Sequence, residues 1–192
     1  DDEILRLVED YRVQKLLMPK LPPTNIWSEI LRYSWSVGLL KWQAKHFNND
    51  TYLNYIFKRK ASNFSSAAKK LVQDILIRTH REKSRIAKLR DRYLNNISRL
   101  PYFEKCLEQL QKQKADFVLC AVQRSSKAIG PLLAAIKLNI KNATFIYSWD
   151  NLSKASLYVK ASNYFVWSNQ MKEELIMYHP EISESNIHIT GT

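Results

Sequence analysis

Asp116-Phe117-Val118-Leu119-Cys120-Ala121-Val122, closed by Gln123-Arg124-Ser125-Ser126, is the stretch that decides the fold. An unbroken apolar run of this length marks a strand buried on both faces, as in a parallel sheet sandwiched by helices. Its polar closure offers Ser125 as a helix N-cap. The pattern then repeats along residues 116–192. Ile129, Leu132, Leu133 and Ile136 recur at helical spacing over 127–138, and Ala143-Thr144-Phe145-Ile146-Tyr147-Ser148-Trp149 reads as a second strand. Tyr164-Phe165-Val166-Trp167-Ser168 reads as a third. Asn169 is expected to cap a helix over 170–179, with Glu173 and Glu174 in its early turns, where the dipole favours acids. Ile187-His188-Ile189-Thr190-Gly191-Thr192 completes the set as a fourth strand. Strands alternating with helices predict an α/β fold: a Rossmann-like parallel sheet with right-handed crossovers.

Upstream, residues 1–115 read as a helix-rich basic segment with a different rhythm. A short helix is expected over 3–9 and a strand near 12–18, stopped by Pro19. Leu21-Pro22-Pro23-Thr24-Asn25 is a breaker that leaves Thr24 or Asn25 as N-cap. From 26 to about 47 the apolar residues fall three and four apart (Trp27, Ile30, Leu31, Trp35, Trp42), which predicts a helix with an aromatic face. A polar turn at 48–50 and a helical stretch over 52–57 follow. One long helix is predicted over 66–98, with Leu71, Ile75, Ile86, Leu89, Tyr93 and Ile97 on one face, before Pro101 and a last helix over 102–113.

The net charge of +12 is unevenly spread. Residues 1–115 hold 23 Lys/Arg against 12 Asp/Glu, whereas residues 116–192 hold 7 against 6. The positive charge therefore belongs to the helical segment, where an anionic membrane surface, a phosphorylated substrate or nucleic acid would meet it. Cys106 and Cys120 have no metal-ligand spacing, and Cys120 is expected as a small core residue. A reducing cytoplasm fits that usage. The chain opens Asp1-Asp2-Glu3 and closes on a strand, so it reads as cut at both ends, with no signal peptide and no spanning segment.

In an open parallel sheet, ligands bind beyond the carboxyl ends of the strands. The candidate site therefore comprises Gln123, Arg124 and Ser125 after the first strand, Trp149, Asp150 and Asn151 after the second, Ser168 and Asn169 after the third, and Thr192 after the fourth. Arg124 suits a phosphate or carboxylate, and Trp149 could stack on a sugar face. Plainer roles compete: Ser125 and Asn169 serve as N-caps, Asp150-Asn151 could close an Asx turn, and Trp149 could fill a gap. His46, His80 and His179 are expected at the surface, and His188 in the core or on the rim. No glycine cradle for a nucleotide, no Gly-x-Ser-x-Gly elbow, no Asp-x-Asp and no zinc spacing is present, so catalysis here would be independent of a metal.

Ser148-Trp149-Asp150-Asn151-Leu152-Ser153-Lys154, the strand-helix stretch from Tyr164 through Asn169-Gln170-Met171-Lys172-Glu173-Glu174-Leu175, and Ile187-His188-Ile189-Thr190-Gly191-Thr192 together resemble bacterial GT-B-type glycosyltransferases. The likeness, over about 115–192, is to the surface-polysaccharide and CDP-glycerol glycerophosphotransferase-like group. It implies the N-terminal half of a two-domain enzyme, with the nucleotide-activated donor held by a C-terminal domain beyond residue 192 and no cofactor in this chain, which alone would be inactive. It also implies that Trp149, Asp150 and Asn151 stand on the acceptor side of the cleft, with Asp150 as the base for an acceptor hydroxyl. A glycan or lipid-linked acceptor is the expected partner, with peripheral contact to the inner face of the plasma membrane through residues 78–92. A nucleic-acid-binding module using the basic helix 78–92, a non-catalytic Rossmann-like interaction domain and a sugar-nucleotide epimerase are the alternatives.

Overall fold

Residues 18–56, 64–123, 125–148, 150–154 and 157–191 are described by the structure, a computed structural model. The helix expected over 3–9 and the strand expected near 12–18 lie outside the described residues, apart from Met18, which is in no regular element.

Helix α1 (Ile26–His46) begins where Asn25 Oδ1 accepts a hydrogen bond from the Ser28 amide at 2.8 Å, which settles the cap between the two candidates. At its far end Asn48 takes φ +47° and the Asn49 amide reaches back to the Ala44 carbonyl. The same left-handed stop follows the helices before Lys114 and Asn139. A chain with three glycines thus closes three helices with longer side chains at positions where glycine costs least. A 3₁₀ turn (Asp50–Tyr55) comes next.

The single helix expected over 66–98 is in fact two: α2 (Phe64–Thr79) and α3 (Lys83–Ile97). The break has a local cause. Thr79 Oγ1 donates to the Ile75 and Leu76 carbonyls, and the His80 amide also bonds to Leu76, so the chain at the end of α2 turns its polar groups back onto the preceding turn. Pro101 then opens α4 (Pro101–Lys112) in its first turn, where a missing N–H costs nothing.

Strands β1 (Phe117–Cys120), β2 (Lys141–Phe145), β3 (Asn163–Val166) and β4 (Ile187–Ile189) form one parallel sheet in the order β1-β2-β3-β4. The crossovers carry α5 (Ile129–Lys137), the one-turn α6 (Asp150–Ser153) and α7 (Asn169–Tyr178). Because every step along the sheet runs the same way, right-handed crossovers bring their helices to the same face. Burial agrees. Cys120, Ile146, Tyr164, Val166 and Ile187 join the core, whereas Phe117 is 47% and Leu119 55% exposed. The expectation that β1 is buried on both faces is therefore corrected. It is an edge strand covered on one side, because the helices share that side.

The core is continuous across the two segments. Leu31, Leu89, Ile97, Phe103, Ile129 and Leu175 belong to one cluster. Each such side chain removed from water contributes about 1.5–3 kcal/mol before entropy is charged against it. Trp35 and Tyr93 pack against Tyr158, and Tyr52 and Tyr178 share a buried hydroxyl–hydroxyl hydrogen bond of 2.6 Å. Gly130 on α5 lets Tyr102 of α4 come so close that a Cβ there would stand 2.5 Å from its ring.

Candidate functional site at the strand ends

The parallel order places the segments after β1, β2 and β3 along one edge of the sheet, and the side chains there divide into caps, buried groups and one half-buried carboxylate cluster. Ser125 is a cap, its Oγ accepting from the Lys127 amide at 3.2 Å. The cap of α7 is Ser168, whose Oγ accepts from the Met171 amide. This corrects the expectation for Asn169, which occupies the first helical position and is exposed. Extended backbone at Ser168 lets its hydroxyl fold onto the helix end, as a cap requires.

Gln123 and Asn151 do not line an open wall. Both are buried, at 3% and 1% exposure, so these amides sit behind the rim. Gln123 Oε1 is buried with no hydrogen-bond partner among the described residues. Arg124, Trp149 and Thr192 lie outside the described residues.

Asp150 is the chemical centre of this edge. At the start of α6 its Oδ1 accepts from the Ser148 hydroxyl at 2.5 Å, and its Oδ2 pairs with the Lys154 ammonium one turn later. Ser153 Oγ donates to the Asp150 carbonyl at 3.1 Å. Lys154 also stands 5.4 Å from the ring centroid of Tyr55, so a side chain of the helical segment borders the cluster. The sequence places Ser148 and Asp150 together after the second strand and Lys154 in the same stretch, and the fold adds the bonds between them. The i,i+4 spacing of Asp150 and Lys154 was the available signal, provided that a helix was expected there.

Other expectations resolve plainly. Cys120 is a core residue, and its thiol pKa is pushed up by burial, as is that of Cys106. His46 is exposed and stacks on Trp42, and His80 is half-buried with Nδ1 2.9 Å from the Leu76 carbonyl oxygen. His188 is on an exposed face, with Nε2 2.9 Å from Asn163 Oδ1. His179, expected at the surface, is buried, with its Nδ1 3.6 Å from Glu181. Burial lowers the pKa of His179 against the pull of Glu181, while contact with His179, assisted by Lys83, holds the Glu181 carboxyl far below its usual range. Glu181 also pairs with Lys83 of α3 at 3.4 Å and with Lys160 at 3.3 Å.

The basic run 78–92 is not one uniform helical face. It starts before the α2–α3 break, and Lys83 turns inward to the Tyr178 carbonyl. Arg85 and Arg90 pair with Glu82 and Asp91. No helix among the described residues is long and apolar enough to cross a membrane.

The fold defines an α/β protein whose four-stranded parallel sheet is flanked by helices. No protein-family profile, curated protein or solved structure matches this chain.

Proposed function

We propose that this chain is the acceptor-side half of a metal-independent, sugar-nucleotide-dependent glycosyltransferase, or of a glycerophosphotransferase of like architecture, serving cell-surface polysaccharide synthesis at the inner face of the plasma membrane. One observation carries the reading. A carboxylate is fixed at the C-terminal end of a parallel strand, oriented by Ser148 and Lys154. Such strand ends are where open α/β sheets bind ligands. The Ser148–Lys154 stretch that resembles the GT-B group supplies all three groups.

In this reading Asp150 is the catalytic residue. The acceptor hydroxyl oxygen attacks the anomeric carbon of the donor while its proton passes to the Asp150 carboxylate. The bond from that carbon to the nucleotide's phosphate oxygen breaks, and its electron pair leaves with the phosphate. In a glycerophosphotransferase the attack falls on phosphorus and a nucleoside monophosphate leaves. The donor would be held by a second domain, so this chain is expected to bind acceptor in preference to nucleotide.

Tryptophan-fluorescence titration with short oligosaccharides and polyol phosphates tests this. Asp150→Ala should weaken acceptor binding about tenfold, the loss of one charge-assisted hydrogen bond, and Trp149→Ala should weaken it too. Sugar nucleotides should bind poorly to all forms. Acceptor binding unchanged in both variants, or absent from the unaltered chain, removes the proposal.

A further inference from the structure

The elbow between α2 and α3 closes over α1 around a cavity of about 340 Å³. Lys41, Trp42 and Lys45 of α1 line one side, and Arg78, His80 and Arg81 the other. A second depression of about 390 Å³ adjoins it, sharing Arg78 and Arg81 and reaching Arg85. Four full cations thus surround one small space, on two elements that the helix break brings together.

Ion pairing does not account for these cations. None of Lys41, Lys45, Arg78 and Arg81 is within ion-pair distance of a carboxylate among the described residues. Glu82, the nearest acid in sequence, pairs with Arg85 at 3.6 Å. Lys45 and Arg78 stand in the last turns of α1 and α2, where a cation suits the helix dipole, but the dipole alone would not gather Lys41 and Arg81 around the same cavity. Lys41 and Lys45 are one turn apart on the same face of α1, so they repel each other and gain nothing from the arrangement alone. Like charges gathered around a concave, partly apolar space raise the local potential and favour a compact multivalent anion. The volume lies at the lower end of what small-ligand sites enclose.

We infer that the α1–elbow cavity is a binding site for a phosphoryl-bearing anion of one or two phosphoryl groups. Lys41 and Lys45 meet it from α1, and the Arg78 and Arg81 guanidinium groups grip it from the elbow, as bidentate donors suited to phosphate oxygens. The inference stands apart from the reading of the strand ends, since no residue is shared. The phosphoryl group could belong to a lipid headgroup or to a soluble phosphate compound.

Isothermal titration with inorganic pyrophosphate at constant ionic strength tests the site. Single-site binding should be seen. Lys41→Gln and Arg78→Gln should each weaken it about tenfold, the worth of a charge-assisted hydrogen bond, whereas Arg92→Gln, an exposed cation of α3 outside the cavity, should change it less than twofold. All three side chains are exposed, so circular dichroism should show the fold unchanged, and a binding loss then reports the cavity. Sedimentation with phosphatidylcholine vesicles, with and without phosphatidic acid, separates the sources. Capture by phosphatidic acid that pyrophosphate competes away and the cavity variants abolish assigns a lipid headgroup. Pyrophosphate binding without vesicle capture assigns a soluble ligand. No heat at millimolar pyrophosphate overturns the inference. Equal losses in all three variants, or tight duplex DNA binding weakened equally by all three, would mean a diffuse basic face and overturn it too.

Discussion

The helices α1 to α4 and the sheet half from β1 to β4 are built on different economies of surface. The helical half wears the charge, with nearly the whole excess of Lys/Arg within residues 1–115, and it buries Trp35 and Tyr93 while leaving Trp27 and the Phe64, Leu71 and Ile75 side chains of α2 exposed. The sheet half is close to neutral, and one face of its first strand is left apolar and open at Phe117 and Leu119. Period-3.6 elements expose long arcs that can carry any charge, whereas alternate residues of a strand share one face, so an apolar set on an uncovered face stays exposed. Neither half is a separate body. One core, one tyrosine pair and the Lys83–Glu181 contact join them. The two candidate sites divide along a line that stability does not respect: the carboxylate cluster sits on one half and the cationic cavity on the other.

Predictions that strain the joint test this best. The largest effect is expected at Gly130, where a Cβ would come within 2.5 Å of the buried Tyr102 ring. Gly130→Ala should destabilise by about 1–3 kcal/mol, the usual cost of overpacking. Urea unfolding should still show one transition by both far-UV and tryptophan signals. Two separated transitions would mean that the halves fold independently, and the comparison would fail.

Next comes the His179–Glu181 contact. A buried His179 with a lowered pKa resists protonation in the folded state, so stability should fall as pH drops below about 6.5, where the unfolded chain gains the proton. Glu181, with its carboxyl pKa depressed, contributes stability that is present above about 4.5 and lost as pH falls further. Both terms have the same sign, so acidification destabilises throughout. Glu181→Gln should cost about 1 kcal/mol at neutral pH, as expected for a partly exposed carboxylate with two ammonium partners, and should flatten the low-pH limb. A stability independent of pH between about 4 and about 7, the range spanned by ordinary carboxylate and imidazole titration, would contradict these assignments.

The smallest effect lies wholly inside the helical half. Gly38 on α1 faces Ile86 of α3, and a Cβ there would make an ordinary contact at 3.5 Å. Gly38→Ala should therefore stabilise by up to about 1 kcal/mol through helix propensity. It should leave the joint untouched, and a loss of stability would show that the α1–α3 packing is tighter than that spacing allows.

Much of this was legible in the residues. The apolar run 117–122 and the alternation after it announced a parallel sheet, and the aromatic spacing from Trp27 to Trp42 announced α1. The break at Thr79 was not legible, because helical periodicity continues across it; the side-chain bonds of Thr79 and His80 onto α2 appear only in the fold. At the candidate site Asp150 could be named from its place after a strand. Its pairing with Lys154 depended on a single helical turn too short for periodicity to reveal.

The sequence by itself determined the alternation of strands and helices, the segregation of charge and the position of a carboxylate at a strand end, since these follow from local pattern and composition. Tertiary structure alone decided which face of β1 meets the core, that Gln123, Asn151 and His179 are buried, and that Lys41 and Arg78 face one cavity. Burial and proximity between distant residues depend on how elements cross and bend. Those angles are set by packing across the whole chain, and no short stretch of sequence carries them.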